Sequence, residues 1–372
     1  MNRPLAGAPP VTLTVPQRRY RHAWLVVAVG AVGLVMLAVI SLGTGAVAMS
    51  PARVVELILN ELGIPAELRH ASAPGDALHS RHRAVLFAIR MPRVIAAVLV
   101  GACLAVSGAA LQGLFRNPLA GPALVGVSSG AALATAAVIV LGPAASGVGG
   151  MVLRPLAAFV GSIASTSLVY ALATRAGRTD VATMLLAGVA VNAIAGAGNG
   201  LFTFVADDAQ LRDITFWTLG SLGGMTWRSL AVTGPIMLLG TVTLPRLSRQ
   251  LNTLLLGERQ ATYVGTNVQM IKIASVAVVA AGVGAAVSVS GIIGFVGLVA
   301  PHLVRLSIGP DYRTLIPGAA VLGAILLLLA DLVARTVVVP AELPIGIVTA
   351  LVGGPFFVWL LLRHRARRAL YA

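Results

Sequence analysis

The sequence predicts an all-α integral membrane protein with about ten transmembrane helices and both termini in the cytoplasm. Three observations carry this. Of 372 residues, 58% are apolar and 10% are charged, whereas an ordinary soluble domain carries about 25% charged residues. Ten apolar stretches each approach the roughly 20 residues a helix needs to cross a bilayer core. The basic residues fall in short runs between those stretches, so the net charge of +15 reports membrane topology and not a nucleic-acid-binding patch. The 41 glycines suit helices that pack backbone to backbone inside lipid.

Taken in order, the chain begins with a tail, 1–22, carrying Arg18, Arg19 and Arg21. The first span, 23–49, is far longer than the roughly 7–15 apolar residues of a signal peptide, so it reads as an anchor. Residues 50–90 form a long outer segment. Ser50-Pro51 supplies an N-cap with proline at the first helical position, and Val54, Val55, Ile58, Leu59 and Leu62 follow at helical spacing. This predicts an amphipathic helix on the outer membrane surface. Further along the segment lie His70, His79 and His82. His79 and His82 admit two readings, a metal or iron-chelate contact and a solvated loop, and the loop is preferred.

Spans follow at 91–114, 122–141, 154–175 and 181–205. The last carries Gly188, Asn192, Gly196, Asn199 and Thr203 at intervals of three or four residues, one smooth and weakly polar helix face. A translocation path and close helix packing both explain that stripe. A span at 228–247 leads into the cytoplasmic segment 248–266. There Leu251, Leu254, Leu255, Ala261 and Val264 give apolar contacts, and Gly257 and Gly265 act as punctuation. Spans at 268–289 and 291–308 are joined by little more than Ser290-Gly291, and spans at 314–335 and 345–363 precede a tail, 364–372. The whole of 23–363 reads as one transmembrane domain.

Orientation follows from arginine and lysine. With the termini inside, cytoplasmic segments hold 17 of the 27 basic residues, as the positive-inside rule requires.

Absences narrow the function. Lys272 is the only lysine and follows Ile271, so no phosphate-binding loop ending in Gly-Lys-Ser/Thr exists and the chain is not its own ATPase. An ion-coupled carrier buries ionisable groups near the membrane midplane. The nearest candidate here, Asp331, lies towards an outer span end with Arg335 one turn later, where the two pair. Cys103 is the single cysteine and sits in an apolar run, and histidines and carboxylates form no intramembrane cluster. No catalytic residue, metal site or cofactor is expected, and the energy for transport comes from a partner. An ion-coupled secondary transporter is the alternative of a different class.

Several stretches, in order, resemble one family. They are Arg90-Met-Pro-Arg93 with Gly101 to Gly113 and Asn117-Pro-Leu-Ala120; Gly291 to Arg305, with Pro301-His302; and Ala330-Asp-Leu-Val-Ala-Arg335 with Glu342-Leu-Pro-Ile-Gly346 and Gly354-Pro-Phe356. Together they are similar to the permease subunits of ATP-binding-cassette (ABC) importers for ferric siderophores, haem and vitamin B12 (FecCD-type). The resemblance implies a homodimer in the inner (cytoplasmic) membrane, two cytoplasmic ABC ATPase subunits that bind the ATP, and a periplasmic substrate-binding protein. It also implies that Arg90, Arg93 and Arg335 receive carboxylates of the binding protein. By the same resemblance, Leu254, Leu255, Gly257, Glu258, Arg259, Ala261 and Gly265 belong to the element that couples to the ATPase. The stretch from Asp207 to Trp227 looks most like the haem-importing branch, with ferric siderophore or cobalamin as the alternative cargo.

Overall fold

The computed structural model describes residues 17–64, 77–142, 148–338 and 340–369. The opening 16 residues of the N-terminal tail, the stretch 65–76 with His70, and residues 370–372 lie outside them. The described residues are almost entirely helical. The chain runs first through α1 (Gln17–Gly43), α2 (Pro51–Glu61), α3 (Ala77–Ala84), a π-helical turn (Val85–Arg90), α4 (Met91–Leu114), α5 (Val127–Leu141) and α6 (Val148–Ala173). A small hairpin, β1 (Thr174–Arg175) and β2 (Arg178–Thr179), leads to α7 (Val181–Val205), α8 (Asp208–Leu219) and α9 (Trp227–Thr243). The remainder is α10 (Ser248–Leu254), α11 (Glu258–Tyr263), α12 (Val268–Ser290), α13 (Val296–Ile308), α14 (Tyr312–Ala334) and α15 (Ile345–Ala369).

Seven helical stretches among the described residues are long and apolar enough to cross a membrane, and three shorter apolar helices, 127–141, 296–308 and 345–360, bring the number to the predicted ten. The helix starts are written in the sequence. The Ser50 hydroxyl accepts the backbone N–H of Arg53 at 3.2 Å, with Pro51 behind it. Asp180, Asp207, Thr226, Asn267 and Asp311 cap α7, α8, α9, α12 and α14 in the same way, satisfying amides that a helix leaves free at its first turn.

Boundaries differ from expectation at four places. The first span stops at Gly43, not 49, because the chain turns through Gly45 (φ 142°). Residues 122–125 form a 3-10 turn ahead of α5 and are not part of that helix. The link between α12 and α13 is a non-helical stretch, 291–295. Residues 208–219, where no helix was expected, form α8, opened by a capping box between Asp207 and Gln210.

Helix α4 is the axis of the bundle, buried along nearly all its length. It packs on α14, α13, α12 and α9. Gly101 lies so close to Gly323 of α14, and Gly108 to Gly297 of α13, that a methyl at either α4 position would overlap the facing carbonyl oxygen. That is how small residues bring helices together where lipid gives no hydrophobic drive for association. Around this core, α1 leans on α14 and leaves most of its surface outward, and α5, α6 and α7 form a side bundle joined to the core through α12.

Candidate functional site

Three regions expected to act lie at the end expected to be outer, at the end expected to be cytoplasmic, and along α7. At the outer end, α4, α14 and the 340–344 stretch bring arginines and carboxylates together. The guanidinium of Arg93 donates from Nε to Asp331 Oδ1 at 2.8 Å and from Nη1 to Glu342 Oε1 at 2.8 Å. Arg335 approaches the other Asp331 oxygen at 3.6 Å and donates to Thr44 O at 2.9 Å and to the Ser41 hydroxyl at 2.6 Å. Arg90 donates to Leu42 O at 2.7 Å and Gly43 O at 3.0 Å, and also to Val47 O. Two of the three arginines therefore close the carbonyl end of α1, where a helix leaves acceptors free and favours positive charge.

The resemblance implies that these three arginines receive carboxylates of a binding protein. Arg90, Arg93 and Arg335 are all buried, and each guanidinium already has partners within the chain. The expected Asp331–Arg335 pair is present, but the shorter bond to Asp331 comes from Arg93, 238 residues away in sequence. The one carboxylate of the group that reaches solvent is Glu342, with 41% of its side chain exposed. Sequence analysis did not single it out for this cluster.

Nearby on the outer side, α2 is the predicted amphipathic helix. Its own Arg53, buried, donates to Glu56 Oε1 at 2.7 Å and meets His79 Nδ1 of α3 at 2.8 Å. His79 thus serves a structural contact. Glu61 accepts two hydrogen bonds from Arg83, which hold its carboxyl below the ordinary glutamate range.

At the cytoplasmic end, residues 248–266 form two short helices, α10 and α11. Gly257 (φ 109°) and Gly265 (φ 82°) end them in backbone conformations that side-chain-bearing residues avoid. The facing of the residues divides the expected set. Leu254 and Ala261 turn into the core and Gly257 is buried with them, so they are scaffold and not contact surface. Glu258 turns back to pair with Lys272 at 2.8 Å. Leu255, Arg259 and Gly265 face outward, joined by Leu256, Tyr263 and Val264. Tyr263 is 88% exposed, and neither it nor Leu256 was singled out in the sequence. The result is an apolar patch with one cation, exposed on the cytoplasmic side. Asn252 ties α10 to the start of α14, donating to Asp311 Oδ1 at 2.7 Å and accepting Tyr312 N–H at 3.0 Å.

Along α7 the stripe lies at the edge of the buried face. Gly188 packs onto the carbonyl of Leu124, and Asn192 donates to Ala123 O at 3.0 Å while accepting from Ser129. These two fasten α7 to the 122–125 turn. Gly196 has open space before it. Thr203 donates to Asn199 O at 2.9 Å, and Asn199 Oδ1 is buried without a hydrogen-bond partner. Packing therefore explains Gly188 and Asn192, and an open surface begins at Gly196.

Residues 33–363 match the FecCD transport family. The chain belongs to this family. It is similar to the hemin transport system permease protein HmuU of Yersinia pestis, 48% identical over 281 residues, covering 76% of this chain and 84% of that one. It is also similar to the cobalamin import system permease protein BtuC of Halobacterium salinarum, 45% identical over 282 residues (76% and 74% coverage), and to the vitamin B12 permease BtuC of Salmonella arizonae, 42% identical over 294 residues (78% and 87%). A solved metal-chelate-type ABC transporter in an inward-facing conformation superposes with a TM-score of 0.76 at 30% identity, covering 94% of this chain and 99% of that one. This FecCD protein is thus a multi-pass ABC importer permease, a family whose members work with ATPase and binding-protein partners.

Proposed function

We propose that this FecCD permease moves haem from the periplasm to the cytoplasm across the inner membrane as a homodimer. Two ATPase subunits drive it and a periplasmic binding protein supplies it. The observation that carries the haem reading is the 48% identity to the hemin permease, against 45% and 42% for the two cobalamin permeases. The likeness of residues 207–227 to the haem branch supports it. A ferric siderophore or cobalamin is the second reading, favoured by the number of vitamin B12 permeases among its relatives.

In this reading the ATPase receives Leu255, Leu256, Arg259, Tyr263 and Val264, an exposed apolar patch of the kind that marks a protein interface. The binding protein docks over Arg93, whose partner Glu342 is half-exposed and exchangeable, while Arg90 and Arg335 hold the end of α1 beneath it. Cargo passes the open part of α7 from Gly196 onward. His302, buried on α13 with its ring 6.0 Å from that of Phe356, is packing and not an iron ligand.

The test is uptake into proteoliposomes containing the chain with and without its ATPase and binding protein, offered haem, a ferric siderophore and cobalamin in turn. ATP-dependent haem entry needing both partners is expected. Siderophore or cobalamin entry alone overturns the haem assignment, and uptake by the isolated chain on an ion gradient overturns the importer mechanism.

A further inference from the structure

Lys272, on the second turn of α12, is 3% exposed. A buried ammonium is costly unless it is fully paired, and this one joins two separate pieces of the cytoplasmic surface. Its Nζ donates to Glu258 Oε2 of α11 at 2.8 Å and to the backbone carbonyl of Thr179, in the hairpin between α6 and α7, at 2.7 Å. Thr179 is in turn held from two sides. Its N–H donates to Gln269 Oε1 of α12 at 3.1 Å, and its hydroxyl lies 2.8 Å from Tyr170 Oη of α6. Gln269 Nε2 closes the group by donating to Tyr170 Oη at 2.7 Å and to Thr179 Oγ1 at 2.8 Å. The next residue, Asp180, caps α7 by accepting from the Thr183 N–H and hydroxyl, both at 2.7 Å, and these bonds hold its carboxyl below the ordinary aspartate range. One continuous polar network therefore runs from α11 through Lys272 to the first turn of α7.

The two ends of the 248–266 segment are anchored differently. Asn252 fixes α10 to the start of α14, and α14 is packed into the α4 core. Glu258 connects α11, through Lys272, to α7, which leaves most of its surface outside the packed interior. A displacement of the segment therefore reaches the hairpin through Glu258 and Lys272 while Asn252 holds the other end to the core. We infer that Lys272 is the positioning residue that passes displacement of α11 to the start of α7, and so links ATPase movement to the helix that borders the path. This rests on reading 248–266 as the ATPase-coupling element. Lys272 touches neither ATPase nor cargo; it acts by holding Glu258 and the Thr179 carbonyl together.

The experiment uses the permease assembled with its ATPase and binding protein in proteoliposomes, comparing wild type with Lys272→Met and Gln269→Leu. Co-purified ATPase subunit reports assembly, and haem uptake and ATP hydrolysis are measured on the same vesicles. Spin labels at Gln260→Cys and Arg175→Cys, both exposed positions, follow α11 and the hairpin through the ATP cycle. In wild type both labels shift. In assembled Lys272→Met the label at 260 shifts alone, and haem moved per ATP hydrolysed falls at least about tenfold. Gln269→Leu, which leaves the lysine in place, shows a smaller loss of the same kind and decides the matter if Lys272→Met does not assemble. Unchanged haem per ATP in the variants, or a label at 175 that still follows 260 without Lys272, overturns the inference. Wild-type vesicles that hydrolyse ATP with no shift at 260 overturn instead the coupling reading on which it rests.

Discussion

Replacing Asp331 with asparagine removes one charge from the outer cluster and almost no volume. The carboxylate is fully buried, bonded by Arg93 Nε at 2.8 Å and faced by Arg335 Nε at 3.6 Å. Breaking a buried ion pair by removing one partner costs about 3–5 kcal/mol, because the remaining charge stays buried. Here the loss falls at the lower end, about 3 kcal/mol, since Arg93 keeps Glu342 and Arg335 keeps Ser41 and Thr44. The double variant Arg93→Gln/Asp331→Asn removes the stranded cation as well. Its loss is smaller than the sum of the two single losses by about 1–3 kcal/mol, the coupling expected of residues in one network. Reversible denaturant unfolding in micelles, followed by tryptophan fluorescence, measures all four species. A single Asp331→Asn variant within about 0.5 kcal/mol of wild type would refute the argument, because it would mean that a neutral amide satisfies both arginines as well as the carboxylate does.

Three further outcomes follow from particular contacts. Gly101→Ala forces a methyl against the Gly323 carbonyl and separates α4 from α14; a loss of about 1–3 kcal/mol, typical of overpacking, is expected in the same unfolding assay, and a neutral result would mean the helices are free to part. Tyr263→Ala and Leu256→Ser, both on the exposed cytoplasmic patch, should weaken ATPase binding in a pull-down titration by about tenfold or more if they are interface anchors, with unfolding unchanged; equal binding removes the patch from the interface. Glu61, whose folded-state carboxyl titrates below its unfolded value through Arg83, stabilises the α2–α3 contact above the ordinary glutamate range and ceases to do so as pH falls through its lowered value. Hydrogen exchange in α3 should therefore speed up at acid pH in wild type and be fast already at neutral pH in Glu61→Gln, and a flat wild-type profile would contradict this.

The spans were legible because hydropathy is a length-averaged property that survives errors at either end. The caps were legible at Ser50 because the pattern is local and chemical. The outer cluster was not, since it joins Arg93 to Asp331 and Glu342 across 238 and 249 residues; the sequence shows the charges and not their meeting. Gly257 and Gly265 mark the punctuation of the cytoplasmic segment in the sequence, but helices of seven and six residues are too short for periodicity to say which side faces the bundle. Leu254 and Leu255 are neighbours in sequence, and one is core while the other is surface. Lys272 did leave a signal: a lone lysine inside the apolar start of a span is expensive there unless something holds it. The helix α8 lies outside the predicted spans, although Asp207 and Gln210 spell a capping box.

The π-helical turn at 85–90 has a consequence of its own. Such a turn holds one residue more than an α-helix would in the same length, so it behaves as a single-residue insertion carried inside a continuous rod. Deleting one residue between Val85 and Ile89 would let the rod close into plain α-helix with the faces on either side nearly in place, whereas one residue removed from regular helix rotates everything before it by about 100°. The face bearing His79 and Arg83 would then still meet Arg53 and Glu61, and Arg90 would stay beneath the end of α1. The spare residue is slack held in one turn of the rod. A one-codon loss that elsewhere in α3 or α4 would throw the outer collar out of line with the core is absorbed here.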